Sequence, residues 1–198
     1  MKKFLLLIRQ ENSDYANKKY IEAIENFGGK VVLIYDYYGK EECLDYLKEV
    51  VGILLPGGDC VGPLDFFLIE YALDNNLKLL GICQGMQSMA LYGSSDKLIE
   101  IGNMNHKQDE GYIHNVNLCS GKLMDIYGEK IIKVNSHHLQ TVKNSYFFSV
   151  VGKSNDGLIE AIESNNNIFQ IGVQWHPERM LEYDVNSFKL LKEFIVNK

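Results

Sequence analysis

Cys83 stands in Gly81-Ile82-Cys83-Gln84-Gly85-Met86-Gln87, directly after the mostly apolar stretch 77–80. Small residues flank one reactive side chain where a strand-like run gives way to a helix-like one. That pattern describes a sharp strand-to-helix turn from which a nucleophile projects. The positive end of the following helix favours negative charge, so thiolate is expected at Cys83. A thiol nucleophile also needs a base, a group that orients the base, and donors for the developing oxyanion. Gly172-Val173-Gln174-Trp175-His176-Pro177-Glu178 follows another strand-like run and supplies the first two: His176 to take the proton, Glu178 to hold the imidazole in the right tautomer. The donors are expected from backbone. The amide of Gln84 comes directly after the nucleophile, and Leu55-Pro56-Gly57-Gly58-Asp59 ends a neighbouring strand with two glycines that permit close approach of an N–H, here Gly58. A further polar cluster, Val134-Asn135-Ser136-His137-His138-Leu139-Gln140, also ends a strand. With Gln87 it suits recognition of a zwitterionic amino-acid head group, with Ser136 and His137 as contacts and His138 as a contact or a loop support.

Other chemistries fit less well. His176-Pro177-Glu178 matches the H-x-E half of a zinc deaminase signature, but no P-C-x-x-C follows, and no other zinc-ligand spacing is evident. The Gly57-Gly58 loop lacks the G-K-[ST] of a phosphate loop and the three glycines of a dinucleotide turn. No metal and no organic cofactor is expected. His106 and His114 read as solvent-facing or half-buried, His114 sharing a strand face with Tyr112, Val116 and Leu118. Cys43, Cys60 and Cys119 form no C-x-x-C pair and read as small, reduced apolar residues of a cytoplasmic protein.

These residues must be brought together by the elements around them. In 198 residues, 46% hydrophobic and 23% charged, one soluble domain spanning 1–198 is expected. The net charge of −6 argues against a nucleic-acid footprint. The apolar run near the N-terminus is too short and too soon interrupted by Arg9 for a signal peptide, and no stretch is long enough to span a membrane. The first half alternates apolar runs at 4–8, 31–35, 51–55 and 77–82 with amphipathic stretches, the rhythm of a parallel sheet covered on both faces. Ala16, Tyr20, Ile24 and Phe27 recur at helical spacing, and Gly28-Gly29 supplies a stop. After residue 100 the style changes to short strands at 112–118, 131–134, 146–151, 158–162 and 168–173, parted by Gly, Asn and Asp turns, which predicts antiparallel additions. The stretch 102–111 reads as a loop, Asn165-Asn166-Asn167 as a hairpin turn, and Phe188, Leu191 and Ile195 as one face of a closing helix. Parallel sheets collect their sites at the carboxyl ends of their strands, where Cys83 and His176 could meet.

The ordered set LLPGGD, GICQGMQ, VNSHH and GVQWHPE resembles the class I glutamine amidotransferase superfamily, with greatest similarity to its γ-glutamyl hydrolase branch, which includes γ-glutamyl-γ-aminobutyrate hydrolases. The resemblance spans nearly the whole chain and implies a flavodoxin-like three-layer α/β/α fold, a mostly parallel central sheet with antiparallel additions in the C-terminal half. By the same resemblance Cys83 forms a γ-glutamyl thioester, His176 is general base and acid, and Glu178 is its partner. Gly58 and Gln84 form the oxyanion hole, and Gln87, Ser136 and His137 surround the glutamyl group. The expected partner is a small γ-glutamyl substrate, with a synthase subunit or a second copy as further candidates. A glutaminase subunit that passes ammonia to a synthase, and a non-catalytic module that binds glutamyl ligands, are the alternative readings. Gln84 stands where the hydrolase branch often has arginine, and Leu139 where a second histidine is common. Gln84 and the compact length are similar to γ-glutamyl-CDP-amidate hydrolases of capsule phosphoramidate synthesis, which implies a nucleotide phosphoramidate as the leaving group, a γ-glutamylated amine such as aminobutyrate or a polyamine derivative being the other candidate.

Overall fold

A computed structural model describes residues 1–102, 105–108 and 111–197. Strands β1 (Lys3–Ile8), β2 (Lys30–Tyr35), β3 (Gly52–Leu55) and β4 (Lys78–Ile82) alternate with helices α1 (Asp14–Glu25), α2 (Lys40–Leu47) and α3 (Pro63–Asp74). Helix α4 (Gln84–Leu91) follows β4 after a single residue. The second half adds β5 (Ile99–Glu100), β6 (His114–Leu118), α5 (Lys122–Tyr127), β7 (Ile131–Val134), β8 (Gln140–Thr141), β9 (Ser149–Ser154), β10 (Ile159–Glu163), β11 (Gln170–Val173) and α6 (Val185–Ile195). Among the described residues the main sheet has nine strands, ordered β2-β1-β3-β4-β11-β10-β9-β6-β7, while β5 and β8 pair separately. The strands from β2 to β11 run parallel, and the rest pair antiparallel.

Both faces of this sheet are buried, which explains the lack of alternation in the sequence. Phe4, Leu6 and Ile8 of β1 pack into one apolar layer with Tyr20, Ile24, Leu190 and Phe194, beneath α1 and α6. Leu5 and Leu7 point the other way, into a layer with Cys43, Leu47, Leu64, Leu68 and Met86 from α2, α3 and α4. The result is the three-layer α/β/α, flavodoxin-like arrangement. The helical stop at Gly28 is real: its φ is +78°, a left-handed conformation that glycine adopts without strain.

Three local expectations shift. The strand expected at 146–151 is β9, three residues later, because Tyr146 and Phe147 turn outward and Phe147 packs edge-on against Tyr92 instead of joining the sheet. The strand expected at 168–173 belongs to the parallel half on its β4 side and turns antiparallel only toward β10. Tyr112 lies ahead of β6, its hydroxyl donating to Asp184 at 3.1 Å. Of the expected loop 102–111, residues 103, 104, 109 and 110 lie outside the described residues.

Candidate active site

The link from β4 to α4 is one residue long, and that residue is Cys83, with φ 52° and ψ −108°. A non-glycine residue at positive φ is strained, and the packing around it imposes the strain. A Cβ on Gly85 would lie 2.2 Å from the carbonyl oxygen of Leu55, and one on Gly81 would lie 2.6 Å from Met89 Sδ. Helix α4 therefore seats directly on the ends of β3 and β4, and its first turn opens at the thiol.

His176 arrives through the sheet. Strand β11 pairs in parallel with β4 in the register Ile82↔Val173, so the next residues, Cys83 and Gln174, emerge side by side although they are 91 positions apart in the chain. Gln174 Nε2 donates to Cys83 Sγ at 3.5 Å, and Gln174 Oε1 accepts from Gln87 Nε2 at 3.1 Å. Two residues on, His176 is buried with Nδ1 2.8 Å from Glu178 Oε1. Glu178 sits in the short 3-10 turn Pro177–Arg179, whose proline keeps the carboxylate close to the ring. Since the carboxylate accepts the Nδ1 proton, Nε2 is left with its lone pair, and that atom is buried without a hydrogen-bond partner among the described residues. Asn135 clamps the His176 backbone from both sides, accepting from its N–H at 2.8 Å and donating to its carbonyl at 2.9 Å.

Electrostatics correct one expectation. The thiolate predicted at Cys83 is not favoured: burial pushes the thiol up to about 12, Glu178 adds to the rise, and Arg179 and the Gln84 N–H oppose it without cancelling it. Burial also lowers His176 below its ordinary value, Glu178 opposing and Arg179 and His137 assisting. Thiol and imidazole are thus both neutral at rest, because a helix N-terminus offsets only part of the cost of burying an anion.

The glycine loop is held from both flanks. Gly57 donates to Tyr20 Oη at 3.0 Å and its carbonyl accepts from Asn12 at 2.9 Å, while Asp59 N–H donates to Glu11 at 3.3 Å. Between them, the Gly58 N–H donates to no described group, and Gly58 lines a cavity of about 340 Å³ with Cys83. Gln87, His137 and His138 line the same cavity, with Glu100 and Lys107 adding charge. Ser136 is not among the lining residues; it is buried and its hydroxyl donates to the His106 carbonyl at 2.8 Å. His138 shares the wall, but its ring is turned toward Glu160, 3.6 Å away. His106, expected to be solvent-facing or half-buried, is instead buried against the same carboxylate, while His114 is half-buried as expected and faces it as well.

Beneath the glycine loop lies a network that no local motif announces. Arg9, 2% exposed, pairs with Asp65 and reaches the carbonyl of Pro56. Asp65 accepts from Ser88, Ser88 accepts from Gln84 Nε2 at 3.2 Å, and Gln84 Nε2 also donates to the Cys60 carbonyl at 2.8 Å. Gln84 thus ties the helix carrying the thiol to the loop carrying Gly58. A Cβ on Gly58 would lie 2.3 Å from Arg9 Cδ, so the buried guanidinium itself requires glycine there.

Known proteins of similar sequence and fold include amidotransferases and a γ-glutamyl hydrolase. A Schizosaccharomyces pombe protein provisionally named a glutamine amidotransferase is 29% identical over 208 residues, covering 90% of this chain and 81% of that one. The γ-glutamyl-γ-aminobutyrate hydrolase of Escherichia coli O157:H7 is also 29% identical, over 196 residues, with 81% and 77% covered. In fold, the chain is similar to a glutamine amidotransferase from Thermotoga maritima, with a TM-score of 0.70 and 17% identity over 100% of this chain and 99% of that one. The Peptidase C26 family model matches residues 6–66 and 64–178, a span that runs from β1 through the glycine loop and the elbow to Glu178. The chain belongs to the Peptidase C26 family, within the class I glutamine amidotransferase-like group.

Proposed function

We propose that this chain is a cysteine hydrolase that cleaves a γ-glutamyl amide-type bond through a γ-glutamyl thioester. The observation that carries the reading is the strained elbow of Cys83 at the floor of a polar cavity, beside a buried His176–Glu178 pair whose Nε2 has no other duty. Substrate enters with its γ-carbonyl over the sulfur. The thiol proton passes to His176 Nε2 as the C–S bond forms, and the amide hydrogens of Gln84 and Gly58 receive the oxyanion. His176 then gives its proton to the leaving nitrogen, the C–N bond breaks, and the thioester remains. Water, deprotonated by His176, attacks the thioester and releases glutamate and the free thiol. Gln87 and His137 contact the glutamyl head group, Ser136 supports the loop of His137, and the charged outer cavity, with Asp59, Glu100 and Lys107, suits a polar leaving group such as an amine or a phosphoramidate.

The test is glutamate release from a panel of γ-glutamyl amides and phosphoramidates, set beside free glutamine, with mass spectrometry of the quenched enzyme. A +129 Da γ-glutamyl adduct on Cys83, absent from Cys83→Ala, is the expected intermediate, about 129 Da being the mass of glutamate less water. Turnover that persists in Cys83→Ala would end the proposal. The second reading, a glutaminase subunit activated by a synthase, draws on the neutral resting thiol and on the 25% identity, over 90% of this chain, to a Francisella tularensis GMP synthase of which it covers 34%. Slow hydrolysis of free glutamine in preference to every conjugate would favour that reading.

A further inference from the structure

Away from the thiol, three imidazoles and a carboxylate converge on one buried point. His106 Nδ1, His114 Nε2 and His138 Nε2 lie 3.4, 3.6 and 3.6 Å from Glu160 Oε1, and the candidate donor atoms of the four residues all lie within 4.8 Å of one another. Glu160 is fully buried on β10, and neither of its oxygens accepts a hydrogen bond among the described residues; the three facing ring nitrogens are likewise buried without one. An isolated buried carboxylate surrounded by unused polar atoms is costly unless a cation completes it.

The outer nitrogens decide which cation. His106 Nε2 meets Asp156 Oδ2 at 2.9 Å, and Asp156 is in turn held by Ser154. His138 Nδ1 meets the Gln140 carbonyl at 2.9 Å, and His114 Nδ1 the Asn115 carbonyl at 3.3 Å. Carbonyls only accept, so the outer protons of His138 and His114 are fixed outward, and Asp156 fixes that of His106. In its neutral form each ring then carries its lone pair on the inner nitrogen, facing Glu160. This two-shell pattern, an outer acceptor setting the tautomer of an inward imidazole, is that of metal-ligating histidine. The distances to Glu160 agree: tetrahedral bonds of about 2.0–2.1 Å place donor atoms about 3.4 Å apart, and the inner nitrogens of the three rings lie within the 4.8 Å that bounds the whole set. Four protein ligands leave no open position, as in structural sites.

We propose that His106, His114, His138 and Glu160 form a structural site for a divalent transition cation of the zinc class. Borderline nitrogen donors with one carboxylate, in this geometry, favour zinc over magnesium or calcium. The site would fasten the segment around residue 106 and the 136–140 strand end to β6 and β10. His138 N–H already donates to the His106 carbonyl, and Lys107 bridges His137 at the cavity wall, so the cation would brace the wall that carries His137. The four ligands span 54 sequence positions with no short spacing, which hid them from motif reading.

The test reads metal and not turnover, so it stands whatever the substrate proves to be. The whole chain, stripped with a chelator and desalted, is titrated with Zn²⁺ and with Co²⁺, in the native form and in Cys83→Ala, which removes the other soft ligand. Expected are about one equivalent bound, intense visible Co²⁺ bands of a four-coordinate site in both forms, and a rise in Tm with Zn²⁺. His114→Ala and Glu160→Gln, checked for folding by circular dichroism, should lower affinity at least about tenfold. The native protein decides alone if those variants fail to fold. No stoichiometric uptake, the weak spectrum of a six-coordinate ion, or loss of the signal in Cys83→Ala would overturn the site; in the first case a shared proton holds the cluster.

Discussion

Glu178 accepts the His176 Nδ1 proton at 2.8 Å, and everything asked of the imidazole depends on that one bond. It aims a lone pair outward from Nε2 and, in the proposed mechanism, would stabilise the imidazolium formed when the thiol gives up its proton. Replacing Glu178 by Gln keeps the shape and removes the charge, so kcat should fall by on the order of 10²–10⁴-fold with little change in KM. An unaltered kcat would remove Glu178 from the chemistry. The resting charge state makes a second prediction. With Cys83 raised to about 12 and His176 below its ordinary value, both are neutral near pH 7. The base must be neutral to act, so kcat/KM should hold its plateau at neutral pH and decline only as pH falls below about 6.5, the ordinary value of histidine. The thiol should show no thiolate absorbance at 240 nm near neutrality, about 240 nm being where thiolates absorb, and should alkylate slowly. Thiolate absorbance that titrates below pH 7 would contradict the neutral pair.

The element that carries the site is the strand, elbow and helix from Lys78 to Leu91, and its geometry depends on two missing methyl groups. Alanine at Gly85 would press a Cβ to 2.2 Å from the Leu55 carbonyl oxygen, where backbone offers no flexible end to yield. Overpacking of this kind costs about 1–3 kcal/mol, so Gly85→Ala should lower the urea midpoint and, by lifting α4, depress turnover further than stability alone accounts for. Unchanged stability and activity together would show that α4 does not seat as described. This element was readable from the sequence because all its signals are local: an apolar run, two glycines, and a thiol between them. His176 and Glu178 were readable for the same reason. Arg9 and Asp65 were not, being 56 positions apart and joined only by folding, nor was the three-residue displacement of β9, which turns on whether Tyr146 and Phe147 prefer sheet or surface. Charge at Arg9 said only that a leader sequence was interrupted, whereas its buried pairing supports the glycine loop. Removing one partner of such a pair strands the other in the interior, so Asp65→Asn should destabilise by about 3–5 kcal/mol, read as loss of cooperative unfolding at a lower urea concentration.

Across the whole molecule, the sheet separates the candidate site from anchorage. Cys83 and His176 follow the carboxyl ends of β4 and β11, where the parallel half meets the antiparallel half. At the opposite end of the same strands, the start of β4 holds the last helix: Lys78 Nζ donates to the carbonyls of Glu193, Phe194 and Asn197 at 3.0, 2.8 and 2.6 Å. Lys2, beside β1, donates to Val196 and Asn197 at 2.7 and 2.9 Å. Terminal carbonyls of a helix have no partners within it, and an ammonium there answers both the unpaired acceptors and the negative end of the dipole. This anchorage was invisible in the sequence, where Lys78 interrupts an apolar strand and reads as a blemish. Lys78→Met preserves the length and the apolar stem but leaves the carbonyls short of donors, at a cost of about 1–3 kcal/mol. At roughly 2–4 °C per kcal/mol for a chain of this size, Tm should drop by several degrees. Because Lys78 lies at the far end of β4 from Cys83, kcat/KM measured well below that Tm should stay at its native value. A Tm that does not move would mean that α6 holds by its apolar face alone; a kcat/KM that falls with Tm would mean that the two ends of the sheet are not independent.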